Sequence, residues 1–312
     1  MFILIIFIVG LMFLLSPTFR CLFLNIHKYI YNRLKDIYKY IRYKKYNLCK
    51  NEGMLTFVAS EKQAFGSGKT LMCVKYLYSY YKKYNDKIIY IKNENGKYVK
   101  KIQKLVVFSN LEIKDVPSIW FDSLEMLEEW GDKKQKLEEE NPDCVFKLII
   151  LTDELGAILN SRSFKSNITN SNINTILQQR HLDICLWVSS TQRFNFIDCL
   201  YRNTIDKAIT CRLLGFLDFK KRLLYTELFL AQDLENVGSV GDNKIKPLRK
   251  KCFYISDDDY IRYDTKHMIS DLIHKQRTGD LISDEEYLKN IQLDNQSINI
   301  KISKNKKRKF LK

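Results

Sequence analysis

The sequence predicts an α/β fold, a mostly parallel sheet with helices on both faces. Three observations predict it. A short β-rich run ends in a glycine turn that opens a helix, an apolar run ends in two adjacent carboxylates, and a third apolar run ends in Ser-Thr-Gln. In a parallel sheet such ends meet at the carboxyl edge, where open α/β sheets bind their ligands.

The chain has 312 residues, 46% of them hydrophobic, which suits one catalytic-sized domain with appendages and excludes a disordered polymer. Its formal charge of +16 belongs to the two ends. Residues 20–50 hold nine Lys or Arg and one acid, Asp36, and residues 301–312 hold seven and none, so the stretch between is nearly balanced. The eight cysteines show no C-x-x-C pair and no His at zinc-ligand spacing. Cys73, Cys185 and Cys211 lie in apolar runs and are expected as buried, reduced thiols.

Residues 1–19 carry no charge and have about the length that crosses a bilayer core of ~30 Å, so they are expected to form a transmembrane helix. The basic residues that follow would hold the bulk of the chain on the cytoplasmic side. Residues 20–50 form the next predicted segment. Within it, Phe23, Ile26, Ile30, Leu34, Ile37 and Ile41 recur at three- and four-residue spacing, which predicts a basic amphipathic helix. It reads either as a solvated stalk or as a surface that lies on anionic lipid heads, and amphipathicity alone leaves both open.

Residues 51–270 are predicted as the catalytic domain. LTFVAS (55–60) reads as a strand, EKQAFGSGKT (61–70) as a glycine turn, and LMCVKYLYSYY (71–81) as a helix. That order is the context of a P-loop. The amides of Gly66, Ser67, Gly68, Lys69 and Thr70 would face a β-phosphate at a helix N-terminus, where free N–H groups and the helix dipole favour an anion. Lys69 would reach the β- and γ-phosphates, and Thr70 would ligate Mg²⁺. One position departs from the motif: Gln63 stands where the first glycine is expected.

VFKLIILT (145–152) reads as a buried parallel strand that runs into Asp153 and Glu154. Two carboxylates there suit phosphoryl transfer, Asp153 on the Mg²⁺ shell and Glu154 polarising the attacking water. ICLWVS (184–189) is the third strand, and it places Gln192 near a γ-phosphate as a sensor. Arg180, Arg193 and Arg202 flank it, and one of them is a candidate arginine finger across a subunit boundary.

GSGKTL (66–71), VVFSN (106–110), LIILTDE (148–154) with Arg162, QQRHLDICLWVSSTQ (178–192), IDCLYRNTID (197–206) and YDTKHMI (263–269) together resemble the zonular-occludens-toxin-like domain. That domain is found in filamentous phage assembly ATPases of the FtsK/HerA branch of P-loop NTPases, and the similarity covers roughly residues 54 to 270. The resemblance implies a RecA/FtsK-like fold, ATP and Mg²⁺ as ligands, and the roles given above to Lys69, Thr70, Asp153, Glu154 and Gln192. It implies a homo-oligomer, usually a hexameric ring, that acts on DNA or a DNA-containing virion, with coat or other assembly proteins as further partners. A single-pass protein of the host cell's inner or plasma membrane is the expected location. The uncharged segment lies at the amino terminus, whereas many phage assembly proteins of this type carry theirs after the ATPase domain. A conjugation-like or packaging DNA pump therefore stays open beside virion extrusion, as does a membrane-bound scaffold whose P-loop is a nucleotide switch.

The remainder carries less chemistry. Residues 87–101 contain Asn95-Gly96 between alternating residues, a hairpin signal, read here as an insertion in the sheet. Residues 124–140 read as a charged, exposed helix, His181 as a structural residue, and residues 212–252 as closing strands. Residues 271–312 are a polar, basic tail whose lysines suit phosphate or anionic lipid.

Overall fold

The computed structural model describes residues 16–60, 66–93, 95–121, 123–155, 181–197, 199–215, 220–235 and 246–263. The chain divides into two compact units, residues 1–48 with 87–102, and residues 49–86 with 103–312.

The first unit opens with α1 (Pro17–Leu24) and α2 (Ile26–Arg42). A run of Ile, Leu, Tyr, Lys and Arg with no glycine or proline favours helix throughout α2. The single amphipathic helix expected from the sequence is interrupted at Asn25, whose exposed side-chain amide donates to the Cys21 carbonyl at 2.9 Å. The helix also stops at Arg42, because Lys44 takes a left-handed φ of 44°. Among the described residues no helix is long and apolar enough to cross a membrane; residues 1–15 of the expected span lie outside them. The hairpin of this unit joins β2 (Lys87–Lys92) to β3 (Tyr98–Ser109). Its turn closes where Asn93 pairs with Lys97 and Gly96 takes a φ of 71°. Tyr43 stacks on Tyr98 with ring centroids 3.7 Å apart, and Asn47 Nδ2 donates to the Ile88 carbonyl at 3.0 Å. The expected inserted hairpin is therefore half of a longer element, since β3 runs on to Ser109 and is buried from Ile102 onward.

In the second unit β1 (Gly53–Ala59) is followed by α3 (Lys69–Tyr84), then by the rest of β3 and by β4 (Ile119–Trp120). Next come α4 (Glu125–Glu140), β5 (Cys144–Thr152), β6 (Ile184–Thr191) and α5 (Cys199–Arg202). The unit closes with β7 (Lys207–Leu214), β8 (Leu223–Leu230), α6 (Ala231–Glu235), β9 (Arg249–Tyr254) and α7 (Asp257–Ile261).

Its strands lie in the order β3-β5-β6-β1-β7-β8-β9, with β4 beside β3. Pairings β5–β6, β6–β1, β1–β7 and β3–β4 are parallel, while β7–β8 and β8–β9 are antiparallel. The mostly parallel expectation thus holds at the centre, and the closing strands expected from residues 212–252 form the antiparallel margin. Every residue of β6 is buried, as an apolar run covered on both faces must be. Strand alternation divides the core between those faces. Ile149, Leu151, Leu186 and Val188 pack in one cluster with Leu71, Val74 and Leu77 of α3. Trp187 points the other way, to an edge contact with Phe121, and Phe108 meets Trp130 of α4. Here the sequence reading of 124–140 needs correction. The charge is on the outside, but Leu127, Trp130 and Leu137 are buried on the inner face at helical spacing.

Candidate functional site

The order β5-β6-β1 sets one strand between the carboxylate strand and the glycine turn. Parallel register aligns their ends, with Val58 level with Thr191 and Thr152 level with Ser189. The three sequence signals therefore converge at one edge.

On the β1 side, Gly66 and Gly68 take φ values of 61° and 84°. Gly68 is the residue that allows the turn: a Cβ there would lie 2.6 Å from Leu224 Cδ1 and 2.9 Å from Leu213 Cγ, whereas one on Gly66 would meet nothing within 4 Å. Gly68 caps α3 without a side-chain bond, so the first-turn amides keep their donors for another group. Ser67 is buried, and its Oγ has no hydrogen-bond partner among the described residues. An orphaned buried hydroxyl beside free helix-start amides fits an absent anion.

On the β5 side, Asp153 is 2% exposed. Thr70 Oγ1 donates to its two carboxylate oxygens at 2.9 and 3.0 Å, and Ser190 Oγ donates to Oδ1. Asn110 holds the backbone of Asp153 from both sides, accepting its N–H at 2.7 Å and donating to its carbonyl at 2.8 Å. Glu154 follows with a φ of 50°, an unusual conformation for a side chain of its size, and its N–H donates to Ser190 Oγ at 3.1 Å.

Burial pushes the Asp153 carboxyl above its ordinary range, and the bonds from Ser190 and Thr70 with the charge of Lys69 pull back only in part. Glu154 is raised as well. Burial is the main cause and Asp153 adds to it, opposed by the Lys69 charge and a backbone N–H bond from Gln192. Lys69 is thus the near cation of two desolvated carboxylates and is itself only 8% exposed.

The structure brings together Gly66, Ser67, Gly68, Lys69, Thr70, Asp153, Glu154 and Gln192. Gln192 meets Glu154 through its main-chain N–H. Arg202 lies on α5 and donates to Asn195 Oδ1 at 3.5 Å, Arg193 is exposed, and Arg180, Arg162 and Gln63 lie outside the described residues. His181 is exposed. Cys73, Cys185 and Cys211 are buried and free, as expected, and so are Cys49 and Cys144.

Three participants escaped sequence reasoning. Asn110 and Ser190 sit at strand ends, and polarity at the carboxyl end of an apolar strand is the signal that would have marked them. The third, Tyr263, packs against the core cluster that includes Cys73 and Val74 of α3, and its hydroxyl is raised mainly by burial and then by the charge of Asp153. Its segment is tied to α3 by Lys75–Asp259 at 2.5 Å and by Arg262 over the Tyr78 ring at 3.8 Å.

No protein-family model and no curated protein matches this chain. Similar solved structures include the N-terminal domain of zonular occludens toxin from Neisseria meningitidis, with 18% identity and a TM-score of 0.39 over 68% of this chain and 98% of that one. Another is the genome packaging NTPase B204 from Sulfolobus turreted icosahedral virus 2 in complex with ATP-gammaS, with 10% identity and a TM-score of 0.35 over 59% of this chain and 95% of that one. A third is EssC (ATPases 2 and 3) from Geobacillus thermodenitrificans, with 12% identity and a TM-score of 0.32 over 57% of this chain and 37% of that one.

Proposed function

We propose that this chain is a membrane-anchored ATPase motor that drives filamentous-phage-type virion assembly or DNA translocation. The observation that carries the hydrolase reading is the contact of Thr70 with Asp153, which joins the start of α3 to the desolvated carboxylate pair. The first-turn amides, Ser67 and Lys69 would hold the phosphates of ATP. A hydroxyl and one carboxylate are the protein ligands that suit Mg²⁺, which completes its shell with phosphate oxygens and water. Bound there, the ion would neutralise phosphate charge. Glu154, raised by burial yet held by the Gln192 N–H, is suited to accept a proton from the attacking water.

The motor part rests on the motifs that resemble the zonular-occludens-toxin-like domain, which imply a hexameric ring, and Arg180 or Arg202 of a neighbouring copy would complete its site. The anchor rests on the uncharged residues 1–19, and the basic stretch after them supports a cytoplasmic body. The lysines of 301–312 support DNA as the partner. Gln63 favours a second reading, a scaffold in which nucleotide acts as a switch without turnover.

The test compares ATP binding and phosphate release for the full chain and two variants in detergent. Lys69→Ala is expected to lose binding and turnover together. Glu154→Gln is expected to bind ATP while turnover falls by ~10²-fold or more. Wild-type protein that binds ATP yet releases no phosphate, with or without DNA, would establish the switch in place of the motor. Unimpaired hydrolysis by Glu154→Gln would remove that residue from the chemistry.

A further inference from the structure

α2 carries an apolar row that nothing among the described residues covers. None of its residues is buried, and Ile26, Ile30, Leu34, Ile37 and Ile41 are between 47% and 64% exposed. Steps of four, four, three and four put all five side chains on one face over about 22 Å of helix at 1.5 Å per residue. The same steps place Tyr29 and Tyr40 along one border of the row and Tyr31 and Tyr38 along the other, all four exposed. Lys28, Lys35, Lys39 and Arg42 lie on the face behind it, Arg33 falls on the border that carries Tyr29 and Tyr40, and Asp36 is the only acid in the helix. In a helix that packed on its own domain this row would be the core face.

Charge decides among the candidate occupants. A second copy of α2 packed row to row would leave the cations behind each row turned outward, with no negative partner beyond a single Asp36 on each helix. An anionic lipid surface answers every feature at once. Its acyl boundary receives the isoleucines and Leu34, its headgroup layer suits the bordering tyrosines, and its negative potential attracts the lysines within a Debye length.

We propose that α2 lies in the plane of an anionic membrane surface with Ile26, Ile30, Leu34, Ile37 and Ile41 inserted at the acyl boundary. The inference is independent of the ATPase reading. It shares the membrane with the proposed anchor in residues 1–19, so the experiment reads the two separately.

The full chain with Leu34→Trp is mixed with vesicles of phosphatidylcholine alone or of phosphatidylcholine and phosphatidylglycerol in equal parts, each with and without brominated acyl chains. Flotation reports the anchor. Quenching of the emission that the substitution adds over wild type reports insertion of α2. The expected result is quenching of about twofold or more in anionic vesicles, with a blue shift, and little in neutral ones. Adding Lys28→Glu, Lys35→Glu, Lys39→Glu and Arg42→Glu together is expected to abolish the quenching while flotation persists. A chain that floats without quenching in anionic vesicles would make α2 a free-standing stalk, which overturns the inference and leaves the anchor intact. Equal quenching in both vesicles would overturn the role of lipid charge. Disulfide cross-linking of Leu34→Cys copies, without quenching of the Leu34→Trp chain, would assign the row to a second copy.

Discussion

Asp153 and Leu34 invert the usual placement of their types: the carboxylate is 2% exposed and the leucine 61%. Around Asp153 the fold supplies the missing solvent from its own groups, with Thr70, Ser190 and Asn110 on its side chain and backbone and Lys69 nearby. Around Leu34 the first unit supplies nothing. A buried charge surrounded by prearranged donors stores readiness for chemistry inside the molecule. An exposed apolar row stores readiness for a partner outside it. Substitutions at the two places should accordingly differ in what they change: stability and turnover together at the first, association alone at the second.

The largest effect is expected at Gly68. Gly68→Ala forces an L side chain to a φ of 84° and drives its Cβ into buried Leu224 and half-buried Leu213, for a loss of ~3 kcal/mol of stability and of ATP binding. Urea unfolding measures it, and a loss under ~1 kcal/mol would mean that the glycine turn is less tightly determined than Asp153. Next comes Asn110→Ala, which frees the N–H and carbonyl of Asp153. It should destabilise by about 1–3 kcal/mol and slow ATP turnover by roughly tenfold with ATP affinity little changed, since Asn110 positions the carboxylates without touching phosphate. Equal loss in affinity and turnover would refute that positioning role.

Asp153→Asn tests the buried charge itself and should raise stability while it removes turnover. Because the folded pKa lies above the ordinary carboxylate value of ~4, the contribution of Asp153 to stability is full below the unfolded pKa and is lost as pH rises through the folded one. At neutral pH the variant should therefore unfold at a higher temperature than wild type, and the gap should close in acid. A lower Tm for Asp153→Asn at pH 7 would show that the donors outweigh the desolvation. The smallest change is expected from Leu34→Ser, within about 0.5 kcal/mol of wild type in the absence of lipid. A larger loss would mean that the row is covered within the folded chain.

Legibility followed the same divide. The runs at 145–152 and 184–189 were readable as strands because burial on both faces leaves few polar positions, and the GKT turn was readable because its glycines open a helix directly after a strand. The inner face of α4 was missed: Trp130 and its neighbours at 127 and 137 are outnumbered by Glu and Lys, so composition hid the spacing. Asn110 was part of the run VVFSN and had no assigned task, since its work is a pair of backbone bonds to a residue 43 positions later.

What the sequence by itself determined is the local content: which runs are strands, that a glycine turn at Gly66 and Gly68 leads into a helix, which carboxylates end β5, and that α2 is amphipathic and basic. These depend on periodicity and on residues next to one another in the chain. Only the tertiary structure decided that β6 lies between β1 and β5, that Ser190 and Asn110 grip Asp153, and that nothing described covers the row on α2. Each of those is a matter of which distant segments pair and of how much water is left between them, and desolvation depends on all the neighbours in space at once.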